Sequence, residues 1–126
     1  MKQLWISIGI MIFIFAAALT NSWYLSQLTE QFTNTLTQAQ EAAEKGDWTS
    51  AAALTDRVQE QWKQSESYLY VILRHDETDA VGAGLREVRQ LLAWKEIPEY
   101  TAANARLVED IRLLAEMEQF NLKNLL

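Results

Sequence analysis

The sequence predicts an all-α protein, in which an N-terminal transmembrane helix continues into an antiparallel, up-down four-helix bundle. Three observations lead to this fold class. The chain opens with a long uncharged apolar run, and beyond it apolar residues recur at steps of three and four. Only one proline and four glycines occur in 126 residues, so turns are few and helices long. No stretch shows the alternation of apolar and polar residues that marks a half-buried strand.

The N-terminal apolar run is the first predicted element. No charged residue lies between Lys2 and Glu30, and this run is long enough to span a bilayer as a helix. Along that helix Trp5 and Trp23 would lie about 27 Å apart, which is close to the hydrocarbon thickness of about 30 Å. Aromatic side chains with a polar group favour the two membrane interfaces. The predicted interface residues are Trp5, Trp23 and Tyr24.

A cleaved signal peptide is the alternative interpretation of this run. Lys2 supplies a basic start, and the alanines at positions 16–18 offer a cleavage site. We favour an uncleaved signal anchor, because helical apolar spacing continues past the cleavage site through Leu25, Leu28, Phe32, Leu36, Ala39 and Ala43. The predicted division is a transmembrane anchor at residues 1–25 and a helical bundle at residues 26–126.

The charges around the apolar run predict the orientation in the cell membrane. Lys2 and the amino terminus are positive, whereas the first charge beyond the run belongs to Glu30. Positive charge is retained on the cytoplasmic side. We therefore expect a single-pass protein with a cytoplasmic N-terminus and an extracytoplasmic C-terminal domain.

Three breaks divide the remaining chain into helices. Gly46 suits a left-handed helix end, and Asp47 suits the N-cap of the second helix. Residues 74–79 form a polar break, in which Asp76 resembles a cap for the third helix. Pro98 ends the third helix and favours the start of a fourth. The predicted core residues lie on the resulting apolar stripes: Trp48, Val58, Trp62, Leu69, Leu85, Val88, Leu107, Ile111 and Leu114.

The end of the second helix is predicted to return to the membrane. A straight helix over residues 47–74 would exceed the outgoing part of the first helix by about 12 Å. Residues 68–73, which are apolar with two tyrosines, would then reach the headgroup layer together with His75. The alternative is that this segment fills the bundle core.

Composition excludes several classes of function. The chain has no cysteine, which removes disulfides, thiolate zinc sites and thiol catalysis. Its net charge of -6 makes nucleic acid an unfavourable partner. No phosphate-binding loop, nucleophile elbow or paired catalytic acid is present, so we expect no enzyme and no cofactor.

One cluster has the chemistry of a metal site. His75, Glu77 and Asp79 could contribute ligands to a divalent metal ion. The alternative is that the acids complement the positive end of a helix dipole and that His75 follows the preceding helix end. We favour the second interpretation and predict no metal site, since no second histidine is available to complete a ligand set.

Several short motifs resemble a known family. They are Gly46-Asp47-Trp48 with Ala51, Trp62, the motif His75-x-Glu77-x-Asp79, and the ending Leu122-Lys123-Asn124-Leu125. With the apolar N-terminus, they resemble the uncharacterised bacterial family known as domain of unknown function 4363. The resemblance implies a short single-pass envelope protein of Gram-positive, often spore-forming bacteria. It implies no particular activity.

Two functions follow as hypotheses. The first is a membrane-tethered extracytoplasmic helical scaffold or interaction protein, whose partners are the membrane and another membrane or envelope protein. The second is an extracytoplasmic ligand-sensing bundle, which would have to act through a membrane partner because the sequence shows no second membrane helix and no output domain.

Overall fold

The computed structural model describes residues 1–72 and 75–125, with the side chains of all of these except positions 72, 75, 121, 122, 124 and 125. Over these residues the chain forms four helices and no strand. They are α1 (Lys2–Glu44), α2 (Trp48–Ile72), α3 (His75–Trp94) and α4 (Ile97–Leu125). The predicted all-α architecture is confirmed.

Helix α1 has two halves with different surroundings. It is continuous over 43 residues, and its first buried residue is Leu25. From there it presents a buried stripe to the bundle: Leu25, Thr29, Phe32, Thr33, Leu36, Ala39 and Ala43. An 18-residue stretch of its apolar N-terminal half has a mean hydropathy of 2.0 and no buried residue. Among the described residues, α1 is the one helix long and apolar enough to cross a membrane. This half is therefore compatible with a membrane anchor or a signal sequence.

The four helices form a closed ring of neighbours. Helix α1 packs against α2 and α4, and α3 packs against the same two helices. Because the turns are short, consecutive helices are antiparallel and the arrangement is up-down-up-down. Of the nine core residues named from the sequence, eight are buried, and Trp48 is half-buried at the edge of the core.

The turn between α1 and α2 has the geometry expected from its residues. Gly46 has a φ of 83°, which a glycine adopts without steric penalty. Its N–H donates to the Ala43 carbonyl (3.0 Å), and the Asp47 N–H donates to the Ala42 carbonyl (2.8 Å). This pair of bonds is a Schellman motif. Asp47 then caps α2 by accepting a hydrogen bond from the Ser50 N–H. A hydrogen bond with the Ser50 side chain, followed by this backbone bond, lowers the pKa of the Asp47 carboxyl group.

The turn between α3 and α4 repeats this geometry without a glycine. Lys95 has a φ of 56°, and its N–H donates to the Leu92 carbonyl while the Glu96 N–H donates to the Leu91 carbonyl. Helix α4 then begins at Ile97 with Pro98 in its first turn, where a proline needs no hydrogen-bond partner.

The predicted polar break at residues 74–79 is wrong in its extent. Helix α3 already begins at His75 and has Asp76 and Glu77 in its first turn. Acidic side chains stabilise a first turn by complementing the helix dipole. Asp76 therefore lies inside the helix, and Thr78 is one of its buried residues.

The end of the bundle beside the apolar run as candidate functional site

The end of α2 lies beside the part of α1 that leaves the apolar run. The Tyr68 ring meets the Tyr24 ring edge-on, with centroids 5.4 Å apart. The Tyr68 hydroxyl donates a hydrogen bond to Asn21 Oδ1. Burial raises the pKa of Tyr68, and the neighbouring Tyr24 and Glu118 raise it further. Helices α1, α2 and α4 therefore converge around this tyrosine.

Helix lengths explain this contact. The described part of helix α2, Trp48–Ile72, has 25 residues and is about 37 Å long at 1.5 Å per residue. The bundle part of α1, from Leu25 to its end, is about 30 Å long. The returning helix therefore extends about 7 Å beyond Leu25, which brings its last turns to Asn21. His75, predicted at the same level, has a side chain outside those described.

Helix α4 reaches the same level from the other side of α1. Ser26, Thr29 and Thr33 of α1 line one groove together with Arg112, Glu116 and Gln119 of α4. Because the two helices are antiparallel and the spacing is the same on both, we infer that Gln119 is level with Ser26. The next residue of α4, Phe120, is accordingly level with Leu25.

Exposed apolar side chains collect at this end of the bundle. Trp23 and Tyr24 on α1 are 64% and 47% exposed, Val71 on α2 is 85% exposed and Phe120 on α4 is 63% exposed. From the pairing of the helices, these four residues lie within about one helical turn of each other along the bundle axis. We refer to these four residues as the apolar collar. Leu69, in contrast, is buried, so the described side chains of residues 68–71 lie partly in the core and partly on the surface.

A second apolar surface lies between α3 and α4. These helices approach closely at Gly84, where an added Cβ would lie 2.9 Å from Leu107 Cδ1. Nearer the collar is a cavity of about 190 Å³, lined by Glu77, Ala80, Asp110, Leu113, Leu114 and Met117. We refer to it as the α3–α4 groove. Leu113 and Met117 are each 41% exposed.

The three metal-ligand candidates have separate surroundings where their side chains are described. Asp79 Oδ1 accepts a hydrogen bond from the Tyr70 hydroxyl (2.6 Å), and this bond, followed by one to Glu66, raises the pKa of Tyr70. Glu77 lines the α3–α4 groove. The side chain of His75 is outside the described set. Within that set, no group of three or more histidine or carboxylate side chains could hold a metal ion.

Two buried polar residues of α4 were not found from the sequence. Asn104 Nδ2 donates to the Leu36 carbonyl (3.1 Å) and to Gln40 Oε1 (3.0 Å) on α1. Tyr100 is fully buried, and burial together with the charge of Glu44 raises its pKa to about 12. Counting back from Leu107 by three and then four residues would have found both positions.

The family comparison covers this whole arrangement. The family described as Domain of unknown function (DUF4363) matches residues 19–125. The chain belongs to this family. The DUF4363 match includes the collar, the groove and the described part of every bundle helix, and it begins within the apolar half of α1. No curated protein and no solved structure matches the chain.

Proposed function

We propose that this DUF4363 protein is a membrane-tethered scaffold that holds a helical bundle against the outer surface of the cell membrane. α1 is the retained anchor, with its N-terminus in the cytoplasm. The bundle serves as an interaction surface for another membrane or envelope protein and has no catalytic role. The observation that carries the proposal is the apolar collar around the point where α1 leaves its apolar run.

The composition of the collar supports contact with lipid. Trp23 and Tyr24 combine an apolar ring with a polar group, which favours the headgroup region. Val71 and Phe120 add apolar surface at the same level from two other helices. Exposed apolar side chains scattered singly are ordinary on a protein surface. Four at one level, at the end of an uncharged apolar helix, favour a membrane surface on that side.

Depth measurements on single-cysteine variants test whether the collar lies at the membrane surface. The chain has no native cysteine, so a spin label can be attached at Val71→Cys or Phe120→Cys without further changes. The matched control is Trp94→Cys, an exposed aromatic position (62%) at the other end of the bundle. In reconstituted full-length protein, a nickel-chelating lipid should relax the labels at 71 and 120, and soluble nickel should relax the label at 94. Equal aqueous relaxation at all three positions would overturn the placement.

The anchor and the orientation have their own tests. The intact mass of the protein from native membranes should correspond to a chain that retains α1, whereas a mature N-terminus at Leu19 would exclude the anchor. A membrane-impermeant maleimide should label Trp94→Cys on intact cells. Labelling that required cell lysis would place the bundle in the cytoplasm instead.

The scaffold role predicts a stable partner. Purification of the full chain from gently solubilised native membranes should return one membrane or envelope protein in stoichiometric amount. Recovery of the chain with a bound small molecule and without a protein partner, measured by native mass spectrometry, would favour the ligand-sensing alternative.

A further inference from the structure

We propose that the α3–α4 groove binds a basic amphipathic helical segment that adjoins the membrane helix of the partner protein. This inference rests on the proposed scaffold function and specifies the chemistry of its partner.

The floor of the groove is an apolar stripe that the bundle itself does not cover. Leu113 and Met117 both line the groove and lie four residues apart, on one face of α4. Both are partly exposed, whereas Leu114, which also lines the groove, is buried in the core. A groove with such a floor fits apolar side chains of an amphipathic helix, which recur at steps of three and four.

The charges of the groove select a basic occupant. Its two charged lining residues are Glu77 from α3 and Asp110 from α4, and both are half-buried. Carboxylates at the edge of an apolar floor attract lysine and arginine side chains that flank an apolar face, and they repel acidic partners. A second copy of this chain, with a net charge of -6, is disfavoured as the occupant for the same reason, as are anionic lipid headgroups.

The position of the groove restricts the occupant to a segment near the membrane. With Gln119 level with Ser26, Met117 is level with Leu28. That position is about 5 Å further from the membrane than Leu25, at 1.5 Å per residue. The groove therefore opens directly above the collar, where the first turns of a neighbouring membrane protein emerge from the bilayer.

Site-specific photo-crosslinking in native membranes tests the inference. A photoreactive amino acid is placed at Met117 in the full-length chain, and at Trp94 as the matched exposed control. After irradiation, mass spectrometry of the cross-linked peptide should identify one segment, adjacent to a transmembrane helix, that is apolar on one face and carries lysine or arginine. The photoreactive amino acid at position 94 should not cross-link to that segment.

Charge reversal tests the acidic edge separately. The double variant Glu77→Lys, Asp110→Lys should lower the cross-linking yield at position 117 at least fivefold. The control double variant Glu60→Lys, Glu109→Lys makes the same charge change at exposed positions and should leave the yield within twofold of the parent. Thermal melting by circular dichroism verifies that both double variants are folded.

The contrary outcomes are distinct from a failure of the scaffold proposal. Cross-links from position 117 only to lipid, to a second copy of the chain or to an acidic segment would overturn this inference, as would no cross-link or a yield insensitive to charge reversal. If purification still returned a stoichiometric partner, the scaffold proposal would stand and the partner would bind elsewhere.

Discussion

At the residue scale, the two turns at the end of the bundle away from the apolar run of α1 use the same backbone geometry with different side chains. Gly46 and Lys95 both have positive φ values, of 83° and 56°, and both are followed by the hydrogen bonds of a Schellman motif. A left-handed conformation costs an L-residue roughly 1–2 kcal/mol, and glycine is free of this penalty. Lys95 therefore carries local strain that Gly46 does not.

We expect opposite effects from exchanging these residue types. Lys95→Gly should raise the free energy of unfolding by about 1 kcal/mol, because the strain is removed. Gly46→Ala should lower it by about 1 kcal/mol. An added Cβ at Gly46 meets nothing within 4 Å, so the cost is conformational and not steric. Chemical denaturation of the full chain in detergent, followed by circular dichroism, measures both. A change of the same sign in the two variants would contradict this account.

The tryptophans of the chain differ sharply in burial. Trp62 is 5% exposed and its ring lies 5.9 Å from that of Phe32, centroid to centroid. Trp62→Ala should therefore lower the free energy of unfolding by roughly 3–5 kcal/mol, through lost contacts and a cavity. Trp94→Ala, at an exposed site, is the control and should change it by less than about 0.5 kcal/mol. An unchanged melting temperature for Trp62→Ala would show that the Trp62 contacts are not formed.

At the scale of elements, the two glycines of α3 have different surroundings. A Cβ at Gly82 would make ordinary contacts, 3.7 Å from Trp62 Nε1 and Arg86. A Cβ at Gly84 would lie 2.9 Å from Leu107 Cδ1 on α4, which is closer than side chains pack. Glycine weakens a helix interior, and this applies equally to both positions. The structure explains the glycine at position 84, because the close approach of α4 leaves no room for a Cβ there.

This difference makes a matched pair of alanine substitutions informative. Gly82→Ala should stabilise the protein by about 0.5–1 kcal/mol, since alanine favours a helix interior. Gly84→Ala should gain less or should destabilise, because Leu107 has to move to make room. Thermal melts of the two variants under identical conditions provide the comparison. Equal stabilisation by both would show that α3 and α4 are not held this closely.

At the scale of the whole molecule, Asn104 links the last helix to the first. Its amide donates to Leu36 and Gln40 on α1, and its own Oδ1 has no partner among the described residues. A buried amide that donates to two acceptors on a neighbouring helix fixes how the two helices align, because a shifted register would leave the donor unpaired. The register of α4 against α1 in turn sets the level of Phe120 in the collar.

Asparagine and aspartate have the same shape, which allows the role of the donor to be isolated. Asn104→Asp would place a buried carboxylate against two acceptors and should cost roughly 3 kcal/mol or more at pH 7. Asn104→Ala should cost about 1–3 kcal/mol. The folded state should raise the pKa of the new carboxyl group, so Asn104→Asp should regain stability as the pH falls through that value, whereas Asn104→Ala should not. Melting curves between pH 4 and pH 8 distinguish the two, and parallel curves would contradict a buried donor.

The sequence by itself determined the helical class, the apolar first half of α1, the turn at Gly46 and Asp47, and most of the core. Each of these depends on local chemistry: helical spacing, a residue suited to a left-handed turn, or a side chain that caps a helix. The break before α4 was predicted from Pro98, but the left-handed conformation of Lys95 was not, and the start of α3 at His75 was misplaced. Neither Lys95 nor His75 has an intrinsic preference that marks it.

Only the tertiary structure decided which apolar residues face outward together. Trp23, Val71 and Phe120 are far apart in the chain, and their common level depends on how far α2 and α4 extend alongside α1. The same is true of the α3–α4 groove, which brings Glu77 to Asp110 across two helices. Helical spacing identifies a stripe on one helix. The alignment of a stripe with others depends on helix lengths, on the close approach at Gly84 and on the buried Asn104 amide, all of which are set by packing between helices.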